Sequence, residues 1–220
     1  DVNVSLVGSD RWILVDSAYG LAQSVSKIMS EIMRTAGDVK SVDYVINTHA
    51  HPDHFPGSTV LRSEYGLKIA MHEYAAPLLR DFKAYAENYT ILRGTDAEMF
   101  VKKYLIEMCG ARPTEVDLPL SDGDVITSGK YEFKVIHTPG HCPCHICLYQ
   151  PDEGILFSGD TVLKGISTWI GVPDGDVLAY LDSLKRLEKG IPMGVKRGKV
   201  QGIKYVTLTQ FINAETTDDL

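Results

Sequence analysis

The 220-residue sequence predicts an α/β fold in which two β-sheets pack together with helices outside. Three observations carry this. Short strand signals at Val4–Val7, Trp12–Val15, Asp43–Thr48 (around the apolar Tyr44–Ile46) and Lys68–His72 are interleaved with helical periodicity. After a long helical block, strand signals return between Val116 and Phe157. An amphipathic helix, Asp176–Lys189, then follows. Strands and helix followed by strands and helix again suggest two sheets rather than one.

The first pair of strands, Val4–Val7 and Trp12–Val15, is joined by Gly8-Ser9-Asp10, a hairpin signal. Asp16-Ser17 leads into a helix whose apolar positions Leu21, Val25, Ile28, Ile32 and Met33 recur at helical spacing, and Gly37 stops it. The strand Asp43–Thr48 runs into a stretch kept irregular by Pro52, Pro56 and Gly57. A helix from about Ser58 to Tyr65, closed by Gly66, precedes the short strand Lys68–His72.

Glu73 to Met108 reads as mostly helical, with Gly94-Thr95-Asp96 starting its second helix. This block, about 73–110, interrupts a strand-rich chain and is read as an insertion in a single domain spanning 1–220. Strands follow at Val116–Leu118 and Asp124–Ile126. The run Tyr131–Ile136 alternates as a half-exposed strand does. His137–His141 forms a turn, and strands His145–Tyr149 and Ile155–Phe157 flank the turn Pro151-Asp152-Glu153-Gly154. The tail at about 191–220 is basic and Gly-rich, with one apolar run at Tyr205–Leu208.

Composition narrows the function. A net charge of −7 leaves no footprint for nucleic acid, so none is expected as a partner. No apolar run is long enough to span a bilayer, and no membrane partner is expected. Asp1–Leu6 lacks the basic and apolar regions of a signal peptide, although a start without Met leaves a removed segment open. Three of the four cysteines cluster at Cys142, Cys144 and Cys147, unlike a secreted disulfide scaffold, so a cytoplasmic setting is expected.

The chemistry concentrates at strand ends. His49, His51, Asp53 and His54 put three imidazoles and a carboxylate into six residues after an apolar strand. His141 ends a second strand-end turn and Asp160 a third. Such donors suit zinc and its neighbours, and their number suggests two clustered ions with a bridging carboxylate.

The motifs His49-x-His51-x-Asp53-His54, Thr138-Pro139-Gly140-His141 and Ser158-Gly159-Asp160-Thr161, in this order, resemble the signature of the metallo-β-lactamase superfamily. The resemblance implies a four-layer αββα sandwich of two mixed sheets with outer helices. It implies that His49, His51 and His141 hold the first metal, that Asp53 and His54 hold the second, and that Asp160 bridges. Asp53 would also orient the attacking water. Zinc, up to two ions, is the expected cofactor, with iron or manganese compatible. An acid at the position of Asp160 favours the thioesterase, lactonase and phosphodiesterase branches over true β-lactamases. The expected reaction is attack of a metal-ionised water on a thioester, lactone or related ester. The alternatives are a phosphodiesterase or nuclease, and a catalytically impaired metal-binding or interaction protein.

One departure stands out. Relatives place a last ligand histidine after the helix matching Asp176–Lys189, but here the chain reads Gly190-Ile191-Pro192-Met193-Gly194-Val195-Lys196, and no histidine follows His145. The tail is also shorter than in relatives. The second metal position is therefore expected to bind more weakly than the first.

The remaining candidates read as structural. His72 is expected to pack or hydrogen-bond, and His137 to be structural or to support a ligand. His145 has a small claim on the substrate or on a ligand's support. The cysteine cluster is read as small buried thiols, with a soft-metal site as the alternative. The expected partner is a small-molecule substrate, and a homodimer is left open.

Overall fold

The computed structural model describes residues 2–89, 97–163, 166–171, 173–190 and 204–210. The helix start expected at Gly94-Thr95-Asp96, and the turn where relatives carry a last histidine, lie outside the described residues.

Strands β1 (Val2–Gly8), β2 (Trp12–Val15), β3 (Val42–Ile46), β4 (Ile69–His72), β5 (Leu118–Leu120) and β10 (Lys204–Gln210) form one sheet in the order β10-β1-β2-β3-β4-β5. Strands β6 (Val125–Ser128), β7 (Tyr131–His137), β8 (Ile146–Gln150) and β9 (Ile155–Phe157) form the other in sequence order. The larger sheet is mixed: β2, β3, β4 and β5 run parallel, while β1 pairs antiparallel with both β2 and β10. The expectation of a mixed sheet fails for the smaller one, which is antiparallel throughout its described strands. Its strands follow one another through direct reversals, with no crossover helix to bring a strand back parallel.

Burial explains the apolar runs. Leu6, Leu14 and Val45 pack with Val25, Ile28 and Ile32 of α1 (Ala22–Ala36) and Leu61 of α2 (Pro56–Tyr65). Val7, Ile13, Val15 and Ile46 point the other way, onto Phe133, Val135, Ile146 and Leu148 of the second sheet. Both faces of β2 are covered, so Trp12–Val15 is continuously apolar rather than alternating, and β3 is apolar from Tyr44 to Ile46 after Asp43, which pairs with Arg11. Each fully buried Val, Leu or Ile contributes about 1.5–3 kcal/mol, more than the ~1 kcal/mol net of a ladder hydrogen bond, so packing fixes the register. In β7, by contrast, Tyr131, Phe133 and Val135 face inward while Glu132 and Lys134 face water, as the alternation predicts.

The helical block is shorter-grained than its periodicity suggests. It contains α3 (Ala76–Arg80), α4 (Phe82–Tyr89), α5 (Ala97–Phe100) and a π-helix (Val101–Met108). A third core cluster, with Phe55, Met71, Leu79, Phe82, Tyr85 and Leu105, seats this block beside the histidine loop. Tyr85 Oη donates to Ala50 O at 2.8 Å, and Gly20 N donates to Cys109 O at 2.8 Å. Gly20 and Gly110 meet so closely that a Cβ on Gly20 would lie 2.3 Å from Gly110 O.

The strand expected at Val116–Leu118 sits two residues later, at Leu118–Leu120. The Asp117 carboxylate is occupied by Arg62 and by the Ile69 N–H, which holds the chain just before β5. Pro119 is tolerated because β5 is an edge strand. Helix α6 (Val177–Gly190) begins at Asp176, whose carboxylate accepts the Leu178 and Ala179 N–H groups. Ser183 Oγ donates to Pro139 O at 2.7 Å, tying α6 to the turn that carries His141.

Candidate metal centre

The histidine loop leaves the carboxyl end of β3, inside the parallel part of the larger sheet, where open α/β sheets gather their sites. Its foundation is Asp16, just beyond β2. Asp16 Oδ1 accepts the Thr48 N–H at 2.8 Å, and the Thr48 hydroxyl lies 3.0 Å from both carboxylate oxygens. Asp16 (φ 58°) and Ala18 (φ 52°) both take left-handed backbone. That costs about 1–3 kcal/mol per residue and persists only where surroundings enforce it. Here the bonds to Thr48, and the Ser17 N–H donated to His54 O at 2.9 Å, enforce it.

Acceptors behind three imidazoles set their tautomers. The single Thr48 hydroxyl proton goes to Asp16, so Thr48 Oγ1 accepts from His49 Nδ1–H at 3.0 Å. Trp169 O can only accept, so His141 Nδ1 carries the proton in their 2.7 Å bond. The Asp174 carboxylate likewise takes the proton of His51 Nε2, at 2.9 Å. Each ring therefore turns an unprotonated nitrogen the other way. His49 Nε2 and His141 Nε2 are buried without a hydrogen-bond partner. One nitrogen from each of His49, His51 and His141 falls into a group whose atoms lie within 4.8 Å of one another. Burial, then the neighbouring histidines, holds His49 well below the usual imidazole range. Burial, then the charge of His51, lowers His141.

A second group contains His49, His54 and Asp160. His54 Nε2 stands 3.4 Å from Asp160 Oδ1, while Asp160 Oδ2 stands 3.6 Å from His141 Nε2. Asp160 thus reaches toward both halves of the centre. Burial pushes its carboxyl up, but the His54 hydrogen bond and the charges of His54, His141 and His145 outweigh burial and hold it well below the usual range. For His54, burial opposes protonation, and Asp16, with Asp160 and Asp53 behind it, raises its pKa well above the ordinary value. His54 Nδ1 stands 3.1 Å from Asp16 Oδ2, an ion-pair contact that turns the ring's Nε2 toward the centre.

The six residues singled out in the sequence converge, with one distinction. Asp53 belongs to neither three-ligand group: its Oδ2 is 3.8 Å from His54 Nε2 and its side chain is 37% exposed, at the rim. His72 does pack, stacked on His137 with ring centroids 4.0 Å apart. The four cysteines are buried thiols, as expected, with Cys142 Sγ and Cys144 Sγ 3.7 Å apart. Sequence reasoning missed Asp16, Thr48, Asp174 and the Trp169 carbonyl. Only Asp16, an acid directly after an apolar strand, carried any signal.

The residues fit a metal. A buried polar atom left unpaired costs about 1–3 kcal/mol, and His49 Nε2 and His141 Nε2, both from residues of one three-ligand group, have no hydrogen-bond partner among the described residues to satisfy them. A cation does satisfy them, and nitrogen with carboxylate oxygen is the donor set of zinc, iron and manganese.

Two sheets with histidines and carboxylates gathered at strand ends define a hydrolase that works with bound metal. The chain belongs to the metallo-beta-lactamase superfamily, whose family model matches residues 1–190. An uncharacterized protein of Aquifex aeolicus is 31% identical over 193 residues, covering 87% of this chain and 80% of the relative. The acyl-coenzyme A thioesterase MBLAC2 of Gallus gallus is 29% identical over 207 residues, covering 88% of this chain and 69% of the relative. A metallo-beta-lactamase family protein from Thermus thermophilus shares the fold, with a TM-score of 0.67 at 24% identity. That match covers 84% of this chain and 64% of the neighbour.

Proposed function

We propose that this single-domain chain hydrolyses a thioester, lactone or related ester of a small molecule, with up to two zinc ions as cofactor. The same donors accommodate iron or manganese. The observation that carries the reading is the set of backed imidazoles, each donating its rear N–H to an acceptor and turning its other nitrogen toward the centre. The thioesterase named among the relatives supports the ester class.

In this reading His49, His51 and His141 hold the first ion, His54 and Asp53 the second, and Asp160 lies between. When bound, the metals lower the pKa of a water and polarise the electrophilic carbonyl. Asp53, at the rim, orients the attacking water and receives its proton. Asp160 fixes the separation of the two halves. The helical block, seated on the histidine loop through Tyr85 and Ala50, walls one side of the approach.

No helix among the described residues is long and apolar enough to cross a membrane. The proposed setting is cytoplasmic and the proposed partner a small-molecule substrate, with self-association as a homodimer. The second reading, an impaired enzyme, draws on the absence of any histidine after His145.

Metal content measured together with turnover of a thioester, a lactone and a phosphodiester, before and after chelation, tests these readings. Thioester or lactone turnover lost on chelation and restored by zinc is expected. Full activity in metal-free protein overturns the proposal, phosphodiester turnover alone moves it to the phosphodiesterase class, and metal uptake without turnover moves it to the impaired protein.

A further inference from the structure

His145 is fully buried and touches every one of the three ligand motifs, yet it belongs to neither group of ligand atoms. Its Nε2 accepts the backbone N–H of Asp160 at 3.0 Å. Its Nδ1 lies 2.8 Å from Thr138 Oγ1, in the motif that ends at His141, and 3.1 Å from Thr161 Oγ1, next to Asp160. An imidazole nitrogen that accepts an N–H is unprotonated, so the ring's one proton sits on Nδ1 and is donated to a threonine hydroxyl. The first motif meets the ring through His49, whose ring centroid lies 5.0 Å from that of His145. Gly159, in the third motif, packs against the same ring: a Cβ there would fall 2.6 Å from His145 Nε2 and 2.8 Å from Thr48 Oγ1. Gly159 also takes left-handed backbone, φ 47°, so glycine is needed there for conformation and for closeness.

We propose that His145 is the positioning residue of the second metal position: it holds Asp160 from behind, through the main chain, so that the carboxylate stands between His54 and His141. The proposal rests on the metal reading above and gives it an asymmetry. The three first-position histidines have supports of their own in Thr48, Asp174 and Trp169 O. Asp160 receives its backbone support from His145. Asp160 stands 3.4 Å from His54 Nε2 and 3.6 Å from His141 Nε2, so its aim sets how well the second ion is held. Loss of a group that orients a metal ligand typically costs 10–100-fold in metal affinity.

The test is a zinc titration of the full chain against a competing chelator, resolving the two binding steps. In His145→Phe, which keeps the ring's bulk and removes the acceptor, the first step should stay within about threefold of wild type and the second should weaken about 10–100-fold. His145→Gln, whose amide oxygen can accept the Asp160 N–H, should recover most of that loss. If His145→Phe does not fold, as judged by circular dichroism, Thr161→Val and Thr138→Val carry the test. They leave the imidazole in place but loosen it, and should weaken the second step alone, by less. An unchanged second step in every folded variant, or equal weakening of both steps, overturns the assignment. A wild-type protein that takes up no second ion overturns instead the two-metal reading on which it rests.

Discussion

The carboxylate of Asp174 accepts the Nε2 proton of His51 at 2.9 Å, across 123 residues of sequence. Both side chains are largely shielded from water. The bond fixes which imidazole nitrogen carries the proton and raises the basicity of the other. Asp174→Ala should therefore weaken zinc at the first position about 10–100-fold, with Asp174→Asn closer to wild type because its amide oxygen still accepts. A chelator-competition titration reads this. Wild-type affinity in Asp174→Ala would show that the bond orients nothing.

Asp16 offers a stability test with opposing terms. Removing its carboxylate strips the buried Thr48 N–H of its acceptor, a loss of about 1–3 kcal/mol for an orphaned buried group. Its backbone also sits at φ 58°, where a Cβ costs energy and glycine does not. Urea denaturation should therefore rank the variants wild type, Asp16→Gly, Asp16→Ala in falling stability. If Asp16→Ala proved the more stable of the two variants, the left-handed backbone would not be under strain.

What the sequence made legible was local. His49, His51, Asp53 and His54 fall within six residues, and His141 and Asp160 each sit in a Gly-containing turn after an apolar run, so motif and fold pointed to one place. The apolar runs Trp12–Val15 and Tyr44–Ile46 were legible as strands too, and they fall in β2 and β3. The supports of the ligands were not. Asp174 stands in Pro173-Asp174-Gly175, which reads as an ordinary turn, and its partner is far off in the chain. The Trp169 carbonyl that holds His141 has no side-chain signature at all. The displacement of β5 was hidden for the same reason: it depends on where Arg62 and Ile69 meet Asp117 in space.

His72 predicts an acid-side loss of stability. It is 3% exposed and stacked on His137, and its Nδ1 accepts the Tyr74 N–H at 3.3 Å. Burial, then the charge of His137, lowers its pKa to about 4 from 6.5. Above pH 6.5 the group is neutral in both folded and unfolded chains and its contribution is fully present. As pH falls from 6.5 toward 4 the unfolded chain takes up a proton that the folded chain refuses, so stability drops, by up to about 1.4 kcal/mol per pH unit. His49, His141 and His145 act in the same direction, so the readout is a difference. His72→Gln should show a shallower fall in urea midpoint across this window than wild type. Parallel curves would show that His72 titrates normally.

Asp53 and Asp160 are both carboxylates beside His54, and their surroundings separate their roles. Asp160 stands with its two oxygens 3.4 Å from His54 Nε2 and 3.6 Å from His141 Nε2, tied to the core through its backbone. Asp53 stands 3.8 Å from His54 Nε2 on the exposed rim, outside both ligand groups. A rim carboxylate that orients water and takes its proton acts on the reacting step. A carboxylate lying between two ions acts on their binding. Asp53→Asn should lower kcat about 10²–10⁴-fold even at saturating zinc, because the proton acceptor is lost, while first-step zinc affinity stays unchanged, because Asp53 serves the second ion and not the first. Asp160→Asn should weaken the second zinc step directly, and part of its activity should return at raised zinc. If raised zinc restored Asp53→Asn as fully as Asp160→Asn, Asp53 would be a ligand alone, and the proton would leave the water by another group.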